Sequence, residues 1–420
     1  MEPAGGRVVV PHQLSMPAAS GATLPRELPG PPPRSTSLAR VPTLREVTAA
    51  LDVLYEPGRA EAWDAVGLVC GDPDGHVERV LLAVDPVAAV AHEALDWGAD
   101  LLVTHHPLFL RPVHGVAGTS PKGRVVHDLI RGGCALHVAH TNADCADPGV
   151  SDALAAALGL TDLRPLAPQP DDPTDKLVTF VPHADAGRVL DALAAAGAGR
   201  IGAYERCAWT SPGTGTFRPT EGASPTIGSV GAVEEVPETR LEVVVPRRLR
   251  RSVVQALRVS HPYEEPAFDV YELAPGDSPY GIGRVGRLPV GEPLTDFVRR
   301  VAAALPATPA GVRAAGDPAT QVRRVAVCGG AGDSLLDAVR AEGVDAYVTA
   351  DLRHHPTSEA REHPGGPALV DVAHWASEWP WLADAARRLT DRLARQGATV
   401  VTRVSETPTD PWTLHEGSAR

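Results

Sequence analysis

The sequence is poor in the features that mark several protein classes. It has only two lysines, Lys122 and Lys176, among 39 basic residues, and 52 acidic residues leave a formal charge of -13. That balance excludes an extended basic surface of the kind that neutralises nucleic-acid phosphates. No uninterrupted apolar stretch approaches the ~20 residues that a membrane helix needs, and no basic segment followed by an apolar one opens the chain. Its five cysteines, Cys70, Cys134, Cys145, Cys207 and Cys328, are scattered and odd in number, with no CxxC pair. Neither a disulfide framework nor a zinc knuckle follows from them, and a reducing, cytoplasmic setting fits best.

What remains is an ordinary globular mixture, 43% apolar and 22% charged, in a chain of 420 residues. That length exceeds one core and predicts two or three domains, one of them discontinuous. Residues 1–40 carry eight prolines by position 33 with almost no apolar periodicity, which predicts a disordered leader. Helical spacing begins after Pro42, with Thr43 as N-cap of a helix over 43–54.

From there short apolar runs alternate with amphipathic stretches. RVLLAVD (79–85), ADLLVTHH (99–106) and CALHVAHT (134–141) read as buried strands separated by helices. VRRVAVCGG (322–330), VDAYVTAD (344–351) and ALVDVAH (368–374) repeat the pattern before a long helix ending near Gln396. Runs of this length predict parallel strands with right-handed crossovers, hence an α/β layer fold. At an offset of 245 residues, Arg79-Val80 falls on Arg324-Val325, Gly98 on Gly343, Asp100 on Asp345 and Val103-Thr104 on Val348-Thr349. At an offset of 234, Val138-His140 falls on Val372-His374 and Asp144 on Glu378. The expected fold is therefore a discontinuous three-layer α/β domain of two pseudo-repeated halves, over 41–170 and 281–405. Residues 171–280 change character, predicting an inserted α+β domain with a Gly/Pro/Thr-rich loop over 211–228. Residues 406–420 read as a flexible tail.

Chemistry-bearing residues collect at the strand ends. His105 and His106 stand where a strand meets Pro107, at the carboxyl edge where α/β sheets bind ligands. Adjacent side chains on a regular strand point to opposite faces, so the pair serves one metal only if the strand stops, or else serves two. Asp144 follows the next strand in HTNAD, and His374 and Glu378 share one helix face at i, i+4. Singly, each is more often a polar strand end or a cap. Together they predict a site for two divalent ions; Zn, Fe, Mn, Co and Ni all suit such ligands. Two such ions would lower the pKa of a shared water and attract an anionic substrate.

Weaker candidates flank this set. His140 is expected to orient the ligands rather than bind metal, with Asp351 and Asp64 as further partners. Gly330 and Gly332 in CGGAGDS could offer backbone N–H groups to an anion, although a glycine turn needs only positive φ to occur there. HPYEEPAFD (261–269) reads either as a loop reaching another subunit or as a rigid loop leading into a strand.

WDAVGL, VTHHPL, HTNAD, GGAGDSLLDA, YVTAD and DVAHWASE, taken in order over about 43–400, resemble the motifs of the Nif-three-like dinuclear metal proteins, the GTP cyclohydrolase 1 type 2 homologs. GAYERC, GTGTFRP and HPYEEPAFD are similar to the PII-like insertion of the longer members. The resemblance implies a homo-oligomer, a toroidal hexamer, with His105, His106, Asp144, His374 and Glu378 as ligands and Glu378 bridging. Ala65, Ala350 and Ala373 depart from the usual motif, which bears on substrate fit rather than on the ligands. Three functions stay open: a hydrolase acting on a nucleotide such as GTP, a phosphate-ester hydrolase, and a non-catalytic metal-delivery scaffold with a ligand-sensing insert.

Overall fold

The computed structural model describes residues 40–170, 173–274, 276 and 278–417; the leader expected over 1–40 lies outside them except for Arg40. The first helix, Leu44–Leu54, starts as its sequence requires. Thr43 caps it, the Thr43 N–H donating to Glu46 Oε2 at 2.9 Å while the Glu46 N–H reaches back to Thr43 Oγ1 at 3.4 Å.

The fold is mixed α/β, with three sheets among the described residues. In the first, Arg79–Ala83, Leu101–Thr104 and Ala135–Val138 run parallel, Val401–Val404 adds a parallel edge, and Gly67–Cys70 an antiparallel one. In the second, Gln321–Ala331, Ala346–Ala350 and Ala368–Val372 run parallel, flanked antiparallel by Gly281–Pro293 and Arg313–Ala315. Asp100 Oδ2 accepts the N–H groups of Glu78 and Arg79, and Asp345 Oδ2 accepts those of Arg323 and Arg324. Each carboxylate thereby pins the start of a neighbouring parallel strand.

Burial explains why these strands read as continuous apolar runs. Val80, Leu82, Leu101 and Val103 face inward with Val325, Val327, Val348 and Val370, and Trp381, Leu382, Leu389 and Leu393 of the helix His374–Arg395 fill the space between. The alternate residues Leu81, Leu102 and Leu136 pack outward on the helices Ala88–Trp97 and Pro121–Arg131. Ala326, Tyr347 and Leu369 do the same with Val339. The expected three layers are thus extended: two sheets share one helical layer, and each sheet takes an edge strand from the other end of the chain, Val401–Val404 in the first and Thr161–Pro168 in the second.

Thr161–Pro168 pairs antiparallel with Gly281–Pro293, Gly281 standing opposite Pro168. The chain leaves the second sheet on one strand and returns on its neighbour, so everything between can be appended without disturbing the core. That stretch builds an antiparallel sheet, Ala208–Phe217, Glu234–Pro246, Thr174–Pro182 and Phe268–Glu272, with its own core of Leu177, Leu241, Val243, Val189 and Val253. The loop expected over 211–228 is a strand as far as Phe217. It lies at a sheet edge, where Pro212 and two glycines are tolerated, and its exposed faces erase the apolar alternation that marks a strand.

Arg284, 1% exposed, ties the returning strand to the first half. Its Nε donates to Asp152 Oδ1 at 2.9 Å and its Nη1 to the carbonyls of Gly281 and Gly283 at 2.6 and 2.9 Å. The tail expected from 406 is held down at its start: Thr407 Oγ1 donates to Glu93 Oε2 at 2.7 Å and Thr409 Oγ1 to Asp85 Oδ2.

Candidate metal centre

The strand Leu101–Thr104 stops before His105, which frees both histidines from strand alternation. Their rings lie 5.1 Å apart and turn towards the same edge. His374 opens the helix His374–Arg395, and Glu378 lies one turn on, 3% exposed beneath it. Two sheets and a helix thus deliver residues 268 positions apart to one point, where His374 Nε2 and His106 Nε2 are 3.2 Å from each other.

Each imidazole is held by its far nitrogen. His105 Nδ1 bonds the Ala139 carbonyl at 2.9 Å, His106 Nδ1 bonds Asp85 Oδ1 at 2.7 Å, and His374 Nδ1 bonds Asp351 Oδ2 at 2.7 Å. Facing a carbonyl or carboxylate, each Nδ1 must carry the proton, so in the neutral rings the Nε2 atoms present lone pairs. These lone pairs converge on Glu378. Oε1 is 3.5 Å from His105 Nε2 and 3.1 Å from His374 Nε2, while Oε2 is 3.2 Å from His106 Nε2. Glu378 Oε2 is buried with no hydrogen-bond partner among the described residues. A carboxylate among imidazole lone pairs is stable only with positive charge between them, supplied by protons or by a metal.

The electrostatics record the same demand. Burial opposes charge on His106, but Glu378 and Asp85 outweigh it and raise its pKa to about 11. His374, likewise desolvated, is carried to about 10 by Glu378 and Asp351. Burial would push Glu378 up, yet His106, His105 and His374 hold it well below the usual carboxylate range. Asp144 differs: burial, helped by Glu378, raises it despite His105, and its Oδ1 stands 3.7 Å from His105 Nε2.

Two groups of potential ligand atoms, each within 4.8 Å of one another, share His106: His105, His106 and His140, and His106, His374 and Glu378. The donor set, the locked Nδ1 atoms and the orphaned Glu378 oxygen fit a divalent cation. His140 comes closer than a purely orienting role requires, its ring 5.2 Å from His105 and 5.6 Å from His106. Its Nδ1 bonds Asp64 Oδ1 at 2.9 Å. Burial would raise Asp64, but bonds from His140 and Thr141 reverse this and hold it below the usual range.

Gly330 does belong to the site, for a steric reason. At φ +69° it faces the ligands, and a Cβ there would clash with Glu378 Oε1 and lie 3.1 Å from His374 Nε2. Its N–H is taken by Ser377 Oγ at 2.8 Å, and that of Gly329 by Ser151 Oγ at 3.3 Å. Gly332 sits away from the ligands, making room for Tyr347 and Thr349. His354 and His355 meet edge to face at 5.1 Å on the exposed start of a helix.

Two contributors went unrecognised in the sequence, Asp85 and Thr409. Asp85 ends RVLLAVD at the same carboxyl edge one strand over, which was signal enough; Thr409 had none. Beside His106 and His374 opens a cavity of about 700 Å³, walled also by Arg313, Asp351, Asp410 and Trp412.

The profile of the Duf34/NIF3 family, NGG1p interacting factor 3, matches residues 42–411. The chain belongs to this family. A Mycobacterium tuberculosis relative named GTP cyclohydrolase 1 type 2 homolog is 54% identical over 378 residues, covering 90% of this chain and 98% of that protein. A Bacillus subtilis relative of the same name is 38% identical, covering 84% and 93%. Among solved structures, a Bacillus cereus protein related to NIF3 superposes with a TM-score of 0.73 at 34% identity, covering 90% of this chain and all of that one. A Staphylococcus aureus protein reaches 0.77 at 28% identity, covering 89% and 99%. No helix among the described residues of this NIF3-family chain is long and apolar enough to cross a membrane.

Proposed function

We propose that this NIF3-family chain is a cytoplasmic, dinuclear-metal hydrolase acting on a nucleotide or another small anion, in line with the name its relatives carry. The observation that carries the reading is the convergence of three Nε2 lone pairs on the buried, partly orphaned Glu378. His105, His106, Asp144, His374 and Glu378 are the residues that would hold the ions. Divalent ions there would supply positive charge and Lewis acidity that polarise a substrate oxygen and make water more acidic.

The protein's own residues do the rest. Asp85 and Asp351 fix the tautomers of His106 and His374, and Ala139 fixes His105. His140, oriented by Asp64, keeps its Nε2 towards the site and is the group placed to carry a proton between water and substrate. Arg313 in the cavity wall is paired with Asp371, Nε to Oδ2 at 2.6 Å. The paired Asp100 and Asp345 bonds support a duplication of the halves, the separate core of 174–272 supports a PII-like insert, and family membership supports a homohexamer.

The test is to incubate metal-loaded protein with GTP and a panel of phosphate esters, beside Glu378→Gln and His140→Ala. Turnover abolished by the first and slowed by the second supports catalysis. Retained metal with no turnover of any substrate supports the metal-delivery reading instead.

A further inference from the structure

The inserted sheet carries a second cavity, of about 550 Å³, within the range of small-molecule sites. Its walls are the edge strand from Ser211 to Phe217, the following turn through Ile227, and the Tyr263–Ala267 loop. The HPYEEPAFD segment therefore folds back on its own sheet. Phe217 and Tyr263 meet edge to face at 5.7 Å, Phe180 lines the same space, and Pro212, Pro219 and Pro225 stiffen it.

Into this largely apolar space comes one buried carboxylate. Glu238 is 7% exposed, and its Oε1 accepts the Tyr263 hydroxyl at 2.8 Å. Its Oε2 has no hydrogen-bond partner among the described residues. It lies across Gly215, where any Cβ would strike it, so the glycine is what permits the carboxylate to occupy the cavity wall.

Among the described residues no ion pair is formed with this carboxylate, although two arginines line the same cavity. Arg240, two residues along the strand, lines the cavity wall with its guanidinium 6.0 Å over the Phe180 ring and its Nε bonded to Glu242 Oε1 at 2.9 Å. His261 is held neutral: its Nδ1 accepts the Tyr263 N–H at 3.1 Å, its Nε2 donates to the Phe180 carbonyl at 3.0 Å, and burial lowers its pKa. Arg218 stands exposed at the rim. A desolvated carboxylate with one hydroxyl donor is left short of a cation.

We propose that this cavity binds a small organic cation with N–H donors, an amidinium, guanidinium or primary ammonium on a compact apolar body. The Glu238 carboxylate takes the N–H groups, and the rings of Phe217 and Tyr263 take the body and share the charge. The cavity is lined by none of the metal-centre residues, so the site stands or falls independently of the proposed catalysis.

The probe is benzamidine, with benzamide as its neutral counterpart of the same shape. Full-length protein is titrated calorimetrically with each, before and after metal removal by a chelator. The expected result is saturable benzamidine binding, unchanged by the chelator, weakened at least about tenfold in Glu238→Gln and at least about tenfold weaker for benzamide. Absence of saturable benzamidine binding overturns the proposal. So does equal affinity for benzamide, which needs no variant to measure, or affinity unchanged in a folded Glu238→Gln protein.

Discussion

Gly330→Ala adds a single methyl group at a glycine whose missing side chain would point at the ligand atoms of Glu378 and His374. The added Cβ falls inside 3.0 Å of Glu378 Oε1, closer than real Cβ contacts come, and 3.1 Å from His374 Nε2. Glu378 is 3% exposed and cannot retreat into solvent. The carboxylate or the strand must therefore shift by about half an ångström or more, which reaches the tolerance within which a metal site is held. Holding alanine at φ +69° costs a further ~1–2 kcal/mol. The expected outcome is a loss of metal affinity of ~10–100-fold, with a fall of only a few degrees in Tm. Competition with a graded series of chelators reads the first and calorimetry the second. Unchanged metal affinity with the Tm loss alone would refute the idea that Gly330 exists to make room for Glu378.

Four other outcomes follow from named contacts. Asp85→Asn, which replaces the Oδ1 and Oδ2 pair bonded to His106 and Thr409, should weaken metal binding ~10–100-fold by chelator competition. Thr409→Val should do the same to a smaller degree, and no change in either would remove the closing segment from the site. Arg284→Ala leaves the carbonyls of Gly281, Gly283 and Ala146 without its guanidinium and Asp152 with only the Gly149 N–H, and should cost ~3–5 kcal/mol in denaturant unfolding. Asp175, fully buried in the inserted sheet, is held below the usual carboxylate range by its bonds to Arg250 and then Arg247. Its stabilisation is therefore complete above about pH 5 and is lost as pH falls through the depressed folded value. Asp175→Asn should remove ~2–3 kcal/mol at neutral pH and flatten that acid limb in pH-dependent unfolding.

Much of the α/β framework was legible because strands buried on both faces leave unbroken apolar runs, and RVLLAVD, ADLLVTHH and VDAYVTAD are such runs. Ala208–Phe217 was not: its burial is low on both faces, so no pattern survives in its sequence. The same logic divides the site. His105, His106, His374 and Glu378 announce themselves as rare residue types at strand ends, and the structure brings their ligand atoms together. Asp144 comes less close, and His140 closer, than residue type suggests, because both distances are set by how His140–Cys145 turns after its strand rather than by strand geometry. Thr409 was invisible, since a threonine in a polar tail acquires its role only when the tail is laid across the sheet edge.

The most direct measurement is anomalous diffraction at the absorption edge of the metal bound to protein purified from its native host. The account predicts two peaks per chain, one on each side of Glu378, within bonding distance of His105, His106, Asp144 and His374 among them. No peak between these side chains, or a metal held elsewhere in the chain, would contradict it.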